Sequence, residues 1–386
     1  MKVLIIYHAG ASLNALSIFN ELASVDSVVL SVIAPERLQV DRVYDPTGWL
    51  RCIGSEGPTT YRSLPVPLRD PANYQRGFQR QALRAAIKIA EPDIIHVLDE
   101  AYSGYLFQVV WERLTVCPKA KIAFYGFDNL PLHFKLHSSL KWRLTWSQMS
   151  GGLAANSECL NNLREVGFPS RLPLERVYWG VPTEIFRPMD KRSLKQELGL
   201  NFDHLVGFIG RLSPDKGLRV LIDAFRRLPE STHLLLVGSG PMKEELEGLS
   251  IRSNLAGRIH IQDAVETSHL VKILNSLDVL CLPSLTLEKW KEQYGRVIAE
   301  AMACGIPVVG SDSGAIPEVI GSAGLIVPEN DSSLLADALS LALFDEITSE
   351  RLRREGLMRV DLDLSCKAMA RNLYGFYDRI LEDQNA

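Results

Sequence analysis

Residues 292–318 read EQYGRVIAEAMACGIPVVGSDSGAIPE, and the order of residue types implies a helix that feeds a buried strand almost at once. Val297, Ile298, Ala301 and Met302 share one face of a helix spanning 295–304. Gly305 is its stop, and Pro307 opens the strand PVVGSD. Repeated steps of this kind build a parallel sheet covered on both faces by helices.

The helix starts just after Glu292-Gln293-Tyr294-Gly295. A helix start behind a glycine turn offers unpaired N–H groups and a positive dipole end, which suit a phosphate. Glu292 and Glu300 are eight residues apart, roughly 12 Å if both ride on the helix. Carboxylates sharing one scissile glycosidic bond stand about 5–9.5 Å apart. The wider spacing fits a ligand with a hydroxyl-bearing sugar at each end and phosphates between, such as a nucleotide-sugar. The plainer alternative is a helix whose glutamates are solvated.

Upstream, GRLSPDKG sets Arg211 and Lys216 at the carboxyl end of the apolar run LVGFIG. Ligands of open α/β sheets bind at that end of the strands, where two cations would neutralise a diphosphate; solvated surface charge is the alternative. Two more glycine turns follow apolar runs, GSGP (238–241) and His8-Ala9-Gly10-Ala11. Such turns are common between strand and helix.

Working outward, apolar runs recur at 2–7, 27–34, 93–98, 121–125, 151–157 and 176–181, with helical patterns between them, among them 13–24 and 74–90. A second series starts after RPMDKRSLKQELGLNFDH, at 205–210, 232–238, 258–262, 278–284 and 307–312. The expected domains are therefore 1–182 and 183–365. A last helix, about 366–386, carries Met369, Leu373, Phe376, Tyr377 and Ile380 at helical spacing and is expected to pack back on the first domain.

The 386 residues suit two cores. With 46% hydrophobic and 23% charged residues the chain is neither disordered nor a membrane span. Its 42 Lys plus Arg stand against 46 Asp plus Glu, a net charge of -4 that gathers no nucleic acid. The six cysteines form no C-x-x-C pair and read as reduced thiols. The N-terminal apolar run is shorter than a signal segment requires, so a cytoplasmic location is expected.

Together these segments resemble the family 4 retaining glycosyltransferases, glycosyl transferases group 1. The resemblance rests on GRLSPDKG, LLLVGSGP, DVLCLPS, the Glu292/Glu300 pair with EAMACGIPVV, and SDSGAIPEVI followed by GLIVPENDSSLLADAL. Weaker matches lie in MKVLIIYHAG, EPDIIHVLDE, AANSECLNNLREVGF and WGVPTEIFRP. It implies the α/β GT-B fold, two Rossmann-like domains facing a central cleft, acceptor side first and donor side second. It further implies that Arg211 and Lys216 hold the donor diphosphate, Glu300 the ribose and Glu292 the transferred hexose. Gln293, Tyr294 and Gly295 would line the pocket, and Gly10 would let the first-domain loop approach the diphosphate. No metal or cofactor is implied, and the reaction retains configuration, a UDP-sugar giving its hexose to a carbohydrate or lipid-linked saccharide acceptor in polysaccharide or glycoconjugate assembly.

One departure stands in KIAFYGFDNLP, where many family members carry a His-Asp pair and this chain has Phe127-Asp128-Asn129. Asp128 is the candidate for a catalytic or acceptor-binding side chain there, with turn chemistry as its alternative. Arg62, Arg69, Arg76, Arg80 and Arg84 keep open a sugar-phosphate synthase, and the missing His a non-catalytic nucleotide-sugar-binding subunit. The stretch HFKLHSSLKWRLTWSQM (133–149) reads either as a core-facing helix or as a basic, aromatic helix in peripheral contact with the inner face of a membrane.

Overall fold

The computed structural model of the 386-residue chain describes residues 1–10, 13–39, 49–51, 60–252, 255 and 257–382. It divides into two compact units, one of Met1–Gly180 with Cys366–Ala386 and one of Val181–Ser365.

In the first unit β1 (Lys2–Ile6), β2 (Val29–Pro35), the short antiparallel pair β3 (Arg37–Gln39) and β4 (Trp49–Arg51), β5 (Arg62–Val66), β6 (Ile94–Val97), β7 (Lys121–Gly126), β8 (Gly151–Ala154) and β9 (Leu174–Arg176) follow in chain order. Seven of them form a parallel sheet ordered β5-β2-β1-β6-β7-β8-β9. The inner strands are apolar and buried on both faces, as helices covering both sides require. Valine and isoleucine dominate β1 and β6 because a branched Cβ suits the pleated backbone.

Three expectations need correction. The stretch 74–90 is a 3₁₀ turn, Tyr74–Arg76, and a separate helix, Arg80–Ala90. Gly77 breaks it at φ +80°, where a Cβ would stand 2.2 Å from the Gln108 Oε1 that accepts from Phe78 N. The run 176–181 is not a strand, since pairing ends at Arg176. Val177 N makes the last bond to the sheet, at Ala154 O (3.0 Å), and Tyr178 and Trp179 are apolar because they are buried. Finally, β5 was not expected: RSLPV lacks a continuous apolar run, and its Pro65 is tolerated because the strand sits at the sheet edge.

The helix Cys366–Glu382 belongs to this unit and packs on the helix Leu13–Ala23. Met369, Leu373, Phe376, Tyr377 and Ile380 face inward, and Arg379 reaches Glu175 on β9. Beneath it the fully buried His96 of β6 meets the Tyr377 hydroxyl at 2.6 Å. Burial drives the His96 pKa down to about 3, so this histidine is a neutral core group.

The second unit holds β10 (His204–Ile209), β11 (Thr232–Val237), β12 (Ile259–Gln262), β13 (Val279–Leu282), β14 (Val308–Ser311) and β15 (Leu325–Val327), all parallel and ordered β12-β11-β10-β13-β14-β15. Cys117 is part-buried, Cys159, Cys281, Cys304 and Cys366 are buried, and all five are free thiols; Cys52 lies outside the described residues. Among the described residues no helix is long and apolar enough to cross a membrane.

Replacing Tyr377 by Phe removes the hydroxyl that partners His96 Nδ1 in a fully buried setting. Urea unfolding at neutral pH should report a loss of about 1–3 kcal/mol for Tyr377→Phe; an unchanged midpoint and slope would show that the contact contributes nothing.

Candidate functional site

In the second unit the chain passes from β10 outward to β11 and β12, then returns to β13 on the other side of β10. The connections leaving the carboxyl ends of β10 and β13 therefore diverge, and the uncovered ground between them is where open α/β sheets bind ligands. The loop after β10 carries Arg211, Ser213 and Lys216; that after β13 carries Ser284, Trp290 and Glu292.

These loops are fastened together. Leu285 N donates to Asp215 O at 2.7 Å, and Ala315 N, just past β14, donates to Glu292 O at 2.9 Å. Gly217 has φ +66°, and a Cβ on it would lie 1.8 Å from Pro283 O, so only glycine lets the β10 loop rest on the end of β13. Gly238, at φ +151°, backs onto Gly210 O in the same way, which gives the GSGP turn a packing role.

Lys216 Nζ lies 2.7 Å from Glu292 Oε2 and 4.3 Å from the centre of the Trp290 ring. The Ser284 hydroxyl donates to the same carboxylate oxygen at 3.0 Å. Both partners of the ion pair are largely buried, with side chains 14% and 11% exposed. The arrangement presents a cation whose position is set by an acceptor, a hydroxyl and an aromatic face.

The helix here is Arg296–Ala303, with Gly295 as a left-handed residue just before it. Glu292 thus lies in the preceding loop and not on the helix, which corrects the spacing argument: its separation from Glu300 is not a helical rise. Tyr294 is buried, Gln293 exposed and Glu300 part-buried. The charge of Glu300 helps burial push the Cys304 thiol up to about 12. Arg211 is exposed and makes no side-chain hydrogen bond or ion pair with another described residue. The Ser213 hydroxyl is buried without a hydrogen-bond partner.

The first unit has its own divergence between β1 and β6. After β1 come His8 and Gly10, whose added Cβ would crowd Ala34 at 3.1 Å; Ala11 lies outside the described residues. His8 stacks on Tyr74 at 4.0 Å, and burial lowers its pKa to about 4. After β6 come Asp99 and Glu100, which the sequence reading missed; two carboxylates at a strand end were the available signal. Burial raises the Asp99 pKa to about 6 and that of Glu100 to about 8, in each case as the largest influence.

Glu100 Oε1 accepts from Phe127 N at 2.7 Å and Asp128 N at 2.9 Å. Its Oε2 is shut away from water without a partner, although the residue as a whole is part-exposed. Asp128 Oδ1 accepts from Leu130 N at 3.2 Å, the expected turn bond, while Oδ2 accepts from the Tyr102 hydroxyl. The five arginines Arg62, Arg69, Arg76, Arg80 and Arg84 do not form an open basic cluster. Arg80 and Arg84 both bind Glu112, Arg76 pairs with Asp70, and Arg62 and Arg69 bind backbone carbonyls.

Residues 190–358 match the family described as "Glycosyl transferases group 1". The matched stretch covers most of the second unit and less than half of the chain. A D-inositol 3-phosphate glycosyltransferase of Mycobacteroides abscessus is 32% identical over 44% of this chain, and one of Stackebrandtia nassauensis 34% over 48%. The aligned parts span 39% and 43% of those relatives' own lengths. Among solved structures, Anabaena HepE in complex with UDP superposes with a TM-score of 0.73 at 18% identity, over 98% of this chain and 100% of that one. Sucrose-phosphate synthase of Thermosynechococcus elongatus superposes at 0.69 and 18%, over 99% and 100%. The fold is GT-B, two Rossmann-like parallel-sheet units.

A carboxyl whose folded pKa is raised stabilises fully below its unfolded value, 4.5 for Glu100, and loses that contribution as pH rises through about 8. Relative to Glu100→Gln, which keeps the acceptor for both backbone N–H groups, the wild type should lose stability between pH 5 and pH 8.5. Parallel unfolding curves for the two proteins across that range would assign the titration elsewhere.

Proposed function

We propose that the protein is a retaining glycosyltransferase that moves a hexose from a nucleotide-sugar, a UDP-sugar in the leading form, to a carbohydrate acceptor. The observation that carries this reading is the Lys216–Glu292–Ser284 cluster at the divergence between β10 and β13. The nature of the donor draws support from Anabaena HepE, whose structures hold UDP and UDP-glucose.

In the proposed reaction the bond from the sugar's anomeric carbon to the diphosphate breaks. A bond from an acceptor hydroxyl oxygen forms on the same face, and the hydroxyl proton passes to the departing diphosphate. Lys216 and Arg211 counter the charge that grows on that diphosphate. Glu292 accepts hydrogen bonds from the transferred sugar, Glu300 from the ribose, and backbone groups of Gln293, Tyr294 and Gly295 surround them. On the acceptor side we assign Asp128, with Glu100 holding the backbone that presents it and Gly10 keeping the first loop thin. Catalysis without a metal is part of the proposal.

A free sugar hydroxyl is preferred over a phosphorylated acceptor because Arg62, Arg69, Arg76, Arg80 and Arg84 are engaged within their own unit. The phosphorylated alternative keeps its interest from the names of the inositol-phosphate relatives and the sucrose-phosphate synthase neighbour.

The test supplies UDP-, GDP- and ADP-sugars with free and phosphorylated acceptors and follows release of nucleoside diphosphate. Lys216→Ala and Glu300→Gln should each lower kcat/KM by about 10²-fold or more, as loss of one preorganised charge partner does, and chelation of divalent ions should leave the rate unchanged. Full turnover in both variants would remove the donor-site assignment. Donor binding by calorimetry with neither transfer nor hydrolysis would make the protein a nucleotide-sugar-binding subunit.

A further inference from the structure

The helix Leu136–Trp146 is apolar on both sides. Trp142 and Trp146 are buried in the core of the first unit, and the Trp146 indole N–H donates to Ala101 O at 2.8 Å. The inward face is thereby complete. On the outward face Leu136, Leu140 and Leu144 are 89%, 61% and 53% exposed. At intervals of four they make one stripe along the helix. Exposed leucines are ordinary singly, but a continuous row marks a surface that something covers.

The surroundings say what chemistry covers it. Lys135 and Arg143 are exposed. Lys141 lies 4.3 Å over the Phe107 ring and 4.2 Å over Trp142, and the half-exposed Trp111 stands edge-on to Phe107 at 6.0 Å. Residues 129–157 contain no aspartate or glutamate. A row of leucines with cations along it and no acid in the segment is complementary to an anionic lipid surface: methyl groups enter the acyl boundary while ammonium and guanidinium groups stay among the headgroups.

We propose that this leucine row, with Lys135, Lys141 and Arg143, seats the first unit on a membrane surface containing anionic lipid. The inference does not rest on the glycosyltransferase reading, since neither the donor cluster nor Asp128 takes part in it.

The test sediments the full chain with vesicles of phosphatidylcholine, with and without phosphatidylglycerol. The wild type should pellet with the anionic vesicles and stay in solution with the neutral ones. The triple variant Leu136→Ser, Leu140→Ser, Leu144→Ser should partition at least about tenfold more weakly, and Lys135→Glu with Arg143→Glu should lose roughly fivefold per cation removed. Because the altered side chains are exposed, unchanged circular dichroism melting separates lost binding from unfolding; if the triple variant melts early, each single serine variant is sedimented instead. Absence of the wild type from the anionic pellet, or equal binding by the leucine variants, would overturn the proposal. So would equal binding to neutral vesicles, or self-association abolished by the serine variants in a protein that ignores vesicles.

Discussion

In a sheet where every strand runs the same way, two neighbours whose connections leave in opposite directions cannot both be roofed by their own following helices. β10 and β13 are such neighbours, and what surrounds the candidate donor site answers to that gap. Lys216 comes from one side, Ser284 and Glu292 from the other, and the two loops close on each other through Leu285 and Asp215. Gly217 is demanded by the same closeness, because any side chain there would strike Pro283.

Electrostatics then separates residues that composition alone makes look alike. A largely buried Lys–Glu pair gains less than its Coulomb attraction suggests, since both ions lose water. Ser284 and the ring of Trp290 supply part of the missing solvation, so the pair is a positioned cation more than a source of stability. In the first unit His96 and His8 both follow from the β1–β6 neighbourhood, yet both are held neutral by burial. Glu100 is different in kind: it fastens the backbone of Phe127 and Asp128 where relatives are expected to carry a His-Asp pair.

The helix Leu136–Trp146 shows why periodicity alone could not choose between its two readings. The core-facing and the membrane-facing readings each hold for one side, because Trp142 and Trp146 are buried while Leu136, Leu140 and Leu144 face outward. With apolar residues on opposite sides the pattern has no single polar face.

Short-range chemistry was legible in the sequence. The buried strands of both units, the glycine that stops the helix at Gly305 and the terminal helix with its inward Met369 to Ile380 face all depend on residues a few positions apart, and side-chain periodicity and glycine conformation are local properties. The edge strand Arg62–Val66 escaped because a strand paired on one side needs no continuous apolar run. The tertiary structure alone decided that Lys216 meets Glu292, 76 residues away, and that Asp99 and Glu100 stand near the turn after β1. Strand order sets both encounters, and no local spacing encodes which strands become neighbours.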